Sequence, residues 1–192
     1  MKNDNFENRA NKILTTITTP DFLSKKGLGN EIPFYVFDYP PDKELEMRRQ
    51  IETITTHLQK HHAHIKFIHI NLFKTMISYL EEKGILGKSF EMEIEKGSEA
   101  LLKALSAPMQ PERFIKSLSK QIHLTRLDLI LIDGVGSIWP LVRAHSLLNN
   151  LQSITRETSL VLFYPGKYTG QSFKLFNLLK DNHYYRAFRL IP

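Results

Sequence analysis

Cysteine is absent from the 192 residues. Its absence removes disulfide cross-links, thiolate metal ligands and thiol nucleophiles together, and it fits a reducing compartment, so the cytoplasm is the expected setting. No window approaches the roughly 20 uninterrupted apolar residues of a membrane-spanning helix. The opening "MKNDNFENRANK" also lacks the apolar stretch of a secretory signal. No membrane partner is expected. Low-complexity tracts, fixed-period repeats and long linkers are missing as well, which predicts a single domain over residues 1–192, with 1–24 as a peripheral helical segment.

What is present suffices for one core: 42% of residues are hydrophobic and 24% charged. The net charge of +6 is unevenly spread. Residues 1–100 carry 14 basic and 15 acidic groups, whereas 101–192 carry 12 and 5. A basic C-terminal half favours an acidic partner, either a nucleic acid or an acidic protein face, although charge alone also serves solubility.

The apolar spacing alternates between two periods. Phe6, Ala10, Ile13, Leu14 and Ile17 form a helical stripe over 3–17, stopped by Pro20. "GLGNE" (27–31) reads as a turn and "IPFYVF" (32–37) as a strand buried on both faces. Asp42 is placed to cap a helix with the inner stripe Met47, Ile51, Ile54 and Leu58. "IKFIHI" (65–70) is a second strand. Asn71 caps the next helix, which carries Leu72, Phe73, Met76, Ile77 and Leu80 inward and is closed by Gly84. A helical pair over 98–122 breaks at Pro108 and restarts at Pro111. Strands are predicted over 127–132, 160–164 and 184–191, and helices over 140–151 and 172–180. Such alternation predicts an α/β fold: a three-layer sandwich around a mostly parallel sheet of about five strands, with a degenerate P-loop-like appearance. Ligands of open parallel sheets bind at the carboxyl ends of the strands, so four loops converge on one functional rim: "FDYPP", "INLF", "DGVGS" and "YPGKYTGQS".

A triphosphate loop needs converging backbone amides, a lysine and a hydroxyl. "Gly166-Lys167-Tyr168-Thr169-Gly170-Gln171-Ser172" is one residue short and has Gln171 where the lysine belongs. Lys167 with the start of a following helix remains a candidate for one phosphate or carboxylate. "GILGKS" (84–89) has Glu82 in place of the first glycine and follows a helix instead of a strand. After the first strand stand Asp38, Pro40, Pro41 and Asp42, which offer too few amides and the wrong charge. Asp133 ends an apolar strand as a magnesium-positioning acid does, but Gly134 follows where a catalytic glutamate would stand. "Gly134-Val135-Gly136-Ser137-Ile138-Trp139" fails the dinucleotide fingerprint because Trp139 replaces a small residue. Arg143 and His145 fall in the first turns of the helix after Pro140, near the rim.

Five of the eight histidines lie between 57 and 69. His57 and His61 share a helix face at a metal-compatible spacing, yet no HExxH pattern accompanies them, and a solvated cluster is the expected state. "Tyr184-Tyr185-Arg186-Ala187-Phe188-Arg189" interleaves aromatics with arginines as nucleic-acid platforms do, but strand alternation sends Arg186 and Arg189 to opposite faces. No catalytic residue, metal site or cofactor is predicted. The candidate anion- or partner-binding rim is Asp133, Gly134, Gly136, Arg143, His145, Gly166, Lys167, Gly170, Gln171 and Ser172, and the candidate nucleic-acid contacts are Lys167, Lys174, Arg186 and Arg189.

Three blocks, "IPFYVFDYPP", "DGVGSIWPLVRAHSLLNNLQ" and "LVLFYPGKYTGQSFKLFNLLKDNHYYRAFRLI", resemble the BrxB family of bacterial BREX phage-defence islands, while residues 85–125 add little. The resemblance implies a cytoplasmic component of a multi-protein system that methylates host DNA and blocks phage replication. It also implies companions: PglZ, which resembles the alkaline phosphatase superfamily, the PglX methyltransferase and the BrxC ATPase. It brings no catalytic residues with it. The expectation is a non-catalytic adaptor that binds PglZ. Two alternatives stand beside it: a DNA-contacting subunit using the basic half, and a divergent nucleotide or phosphate enzyme with Asp133, Arg143, His145 and Lys167 on the rim.

Overall fold

Five short apolar segments lie side by side in parallel. The computed structural model describes residues 6–24, 31–122, 127–155, 158–180 and 183–192. The turn expected at 27–31 therefore falls almost wholly outside the described residues, as does the start of the first helix. In chain order the elements are α1 (Phe6–Ile17), α2 (Pro20–Leu23), β1 (Phe34–Tyr39), α3 (Glu44–His61), β2 (Phe67–Asn71), α4 (Leu72–Glu82), α5 (Leu86–Leu105), α6 (Pro111–Ile122), β3 (Leu129–Asp133), α7 (Ala144–Thr155), β4 (Ser159–Tyr168), β5 (Phe173–Leu175), β6 (Leu179–Lys180) and β7 (Phe188–Arg189). Short 3-10 turns at Pro41–Lys43 and Val135–Ile138 precede α3 and α7.

The main sheet runs β2-β3-β4-β1-β7, all parallel, with β5 and β6 added as an antiparallel extension of β4. Alternate residues of each strand serve opposite cores, which is the period-two rule for a sheet covered on both faces. Phe37, Leu129, Leu131, Val161 and Phe163 face α1 and α3, while Val36, Ile130, Ile132, Leu160 and Leu162 face α4, α6 and α7. The predicted stripe of α3 is fully inward, with Met47, Ile51, Ile54 and Leu58 all buried. The α1 segment, placed at the periphery by the sequence, forms an outer layer yet seals one core with Ile13 and Ile17. Pro20 ends α1 and also begins α2, whose first turn is capped by the Thr19 hydroxyl accepting from Phe22 N.

Several local expectations are corrected. Asp42 does not cap α3: it sits inside the 3-10 turn, and Lys43 takes the cap position without a side-chain capping bond. Asn71 does cap α4, accepting from Lys74 N at 3.0 Å. Phe73 faces solvent and Tyr79 takes the inward place. Helix α5 begins at Leu86 instead of 98, and bends at Gly97. Helix α7 begins at Ala144, because Pro140 keeps Trp139 extended and delays the first helical bond to Leu147 N with Arg143 O.

The largest correction concerns the segment 165–180. Among the described residues no helix follows β4. The strand runs on through Pro165 to Tyr168 and turns back as β5, pairing Tyr168 with Phe173 and Gly166 with Leu175. Phe173 and Leu175 are buried and Lys174 is exposed, a period of two where helix was expected. A Cβ at Gly166 would run into the Lys174 carbonyl oxygen, so the hairpin closes only over glycine. The predicted strand 184–191 is reduced to Phe188–Arg189 beside β1.

Candidate functional site

The chain after β1 enters α3 on one face and the chain after β4 packs Phe173 and Leu175 on the other, so the carboxyl ends of these neighbouring strands flank the switch point at which open α/β sheets bind ligands. Here the crevice is occupied by the chain itself. Asp38 accepts from Tyr168 N at 2.9 Å and from Arg9 Nη2 at 2.8 Å. The Arg9 guanidinium lies 4.9 Å from the centre of the Phe37 ring, and all three groups are nearly inaccessible to water. Tyr168 is wholly buried, and its hydroxyl accepts from Ala187 N at 2.7 Å while facing the carbonyls of Tyr185 and Ala187. Burial pushes the phenols of Tyr168 and Tyr185 up from their ordinary value. Asp38 is thus a structural acid joining α1, β1 and the hairpin, a role not visible in the sequence.

Three amides of the glycine loop, and two beyond it, are engaged as well. Tyr168 N is held by Asp38, Thr169 N by Ser172 O, and Ser172 N by the Thr169 hydroxyl. Phe176 N bonds Pro165 O, and Tyr185 N bonds Gln171 O. Nothing in this segment converges on an anion, and the helix start that would have assisted Lys167 is not formed. Gly170 and Gln171 lie at the exposed hairpin turn.

Of the rim residues, Asp133 and Arg143 line two separate cavities. Asp133, buried at the end of β3, meets His69 Nε2 at 3.2 Å in a polar cavity of about 260 Å³ that also involves Arg48, Asn71, Lys74 and Ser137. His69 was missed because only strand register brings it beside Asp133: Asn71 pairs with Asp133, which sets His69 two residues back on the same face. Beside this cavity Tyr39 donates to Glu44 at 2.6 Å, and Arg48 donates to the other Glu44 oxygen at 2.8 Å. Burial first, then Glu44, drives the Tyr39 phenol far above its ordinary range.

Arg143 is not with Asp133. It is exposed on a separate groove of about 270 Å³, shared with Val135, Trp139, Leu178, Leu179 and Lys180. Trp139 is 41% exposed and Leu178 79%. His145 is half-buried and stacks on His183 with ring centres 4.0 Å apart. Gly136 lies against the hairpin: a Cβ there would lie 2.8 Å from the Phe176 ring, so any larger residue would push that ring aside. Gly134 begins the same turn with φ 79°.

Of the predicted nucleic-acid contacts, Arg186 pairs with Glu31 at 2.9 Å and Arg189 donates to the Tyr168 carbonyl, while Lys167 and Lys174 stand directly opposite each other on the hairpin. His57, His61, His62 and His64 do cluster, with the His57 and His61 rings 4.5 Å apart. Desolvation, then the charges of His61 and His62, lowers His57 below its ordinary value. Among the described residues no three histidines or carboxylates are arranged to hold a metal ion. No described helix is long and apolar enough to cross a membrane.

Comparison with known proteins matches this site-bearing region. A family model described as "BREX protein BrxB" covers residues 68–190. A BREX protein BrxB of Escherichia coli O9:H4 (strain HS) is 37% identical over 186 residues, covering 97% of this chain and 92% of that protein. A second, from Bacillus cereus (strain H3081.97), is 38% identical over 187 residues, covering 95% and 96%. No solved structure matches the chain. The chain therefore belongs to the BrxB family, a component of BREX systems.

Proposed function

We propose that this BREX component acts without chemistry of its own, as an adaptor in anti-phage defence that docks the companion protein PglZ on the groove around Trp139 and Arg143 and so supports host-DNA methylation and phage restriction. The observation that carries this reading is the filled switch point: Asp38, Arg9 and Tyr168 occupy the crevice a small ligand would need. Beside it, a groove of suitable size for one or two side chains exposes a tryptophan, a leucine and an arginine. Exposed aromatic and arginine side chains around a shallow pocket are the composition of binding hot spots, whose truncation typically costs about 2 kcal/mol or more.

Calorimetric titration of purified PglZ into the chain tests it. Saturable binding is expected, with Trp139→Ala weakening it about thirtyfold and Leu178→Asp abolishing it. Absence of association at micromolar concentration, or a Trp139→Ala variant that binds unchanged, would remove the proposal. Turnover of ATP by the isolated chain would overturn its non-catalytic part.

A further inference from the structure

The hairpin extension carries an arrangement that sheets ordinarily avoid. Lys167 on β4 pairs directly with Lys174 on β5, and Lys174 pairs directly with Lys180 on β6. Directly opposed residues of antiparallel strands share a face, so three lysines stand in one row across three strands. All three are exposed, and among the described residues none has an ion-pair partner. Like charges directly opposite each other destabilise a sheet. The opposite face of the same strands, with Tyr168, Phe173 and Leu175, is buried, so the row cannot turn inward.

We propose that this lysine row is a contact surface for the sugar-phosphate backbone of duplex DNA; its last lysine adjoins the docking groove, and the contact is tested without PglZ. Two strand spacings of about 4.8 Å set the outer lysines roughly 10 Å apart. Successive phosphates on one strand of B-form DNA lie somewhat further apart than neighbouring lysines of the row, and the flexible lysine stems let each ammonium group reach one phosphate, about three in all. Lysine is a flexible point charge suited to phosphate, and it is depleted from the cores of protein–protein interfaces, which favours nucleic acid over an acidic protein face. Lys180 also lines the groove with Arg143, extending the positive track toward the exposed Trp139. The contact is sequence-independent, because no side chain of the row is placed to read base edges.

Fluorescence anisotropy with a labelled random-sequence duplex of about 20 base pairs tests this on the full chain. Three phosphate contacts predict a log K against log salt slope near −2.7, about a 40-fold loss between about 50 and 200 mM salt. Replacing all three lysines by glutamine removes that share of the slope. Lys174→Glu is the control for folding: flanked by a lysine on each side, it raises the unfolding midpoint while it weakens DNA binding. The proposal fails if no binding occurs at about 50 mM salt, if the triple variant keeps the wild-type slope, or if polyglutamate binds through these lysines while duplex DNA does not.

Discussion

Asp38 shows how one side chain can decide what a site is for. At the end of a central strand it stands where a ligand-binding residue would be expected, but both of its oxygens are engaged by Arg9 and Tyr168 N. The pair is nearly dry, with side-chain exposures of 12% and 10%. Removing one member of such a pair leaves an uncompensated buried charge, so Asp38→Asn is expected to lower stability by about 3–5 kcal/mol. Urea unfolding measures the loss, and adding Arg9→Met should recover part of it, because two residues in direct contact do not contribute additively. Equal losses summing in the double variant would show that the contact carries no coupling.

At the level of elements, the hairpin β4–β5–β6 determines the functional surface. Gly166→Ala is expected to destabilise by more than about 1 kcal/mol and to raise amide exchange at Tyr168 and Phe176, since the added methyl meets backbone. Gly87→Ala is the contrast. It lies in the first turn of α5 with open space around it, and it should stabilise by about 0.5–1 kcal/mol. These elements also show what the sequence could and could not reveal. The parallel strands were legible because burial on both sheet faces leaves continuous apolar runs, and the stripe of α3 because burial on one helix face imposes a strict period. The hairpin was not: its β4–β5 turn runs through Gly170, and the β5–β6 connection uses Phe176 and Asn177 at φ 53° and 60°, without the Asn-Gly or Asp-Gly pairs that announce such turns. The apolar run Phe173, Leu175, Phe176, Leu178 and Leu179 fits either period. Asp133 was legible as a rim residue, but its partner His69 was not, because register between distant strands leaves no local signal.

Over the whole molecule, burial of phenols gives stability a dependence on alkaline pH. Tyr35, Tyr39, Tyr168 and Tyr185 are all held above the ordinary tyrosine value, principally by desolvation. The folded state favours their neutral forms, so the contribution is intact below about pH 10 and declines as the unfolded chain begins to ionise above it. Urea midpoints between about pH 8 and 11 should fall beyond pH 10, and ultraviolet titration of the native protein should show four phenols ionising late. A flat midpoint would contradict the assignment. The strand order has a temporal consequence as well. β1 bonds to β4 and β7, so Phe34 waits for Leu160 before either of its edges is covered. At ribosomal speeds of about 5–20 residues per second that delay lasts roughly six seconds or longer. During that interval the nascent first strand is an open, greasy ribbon, and the half-made protein depends on chaperones or on speed to avoid sticking to its neighbours.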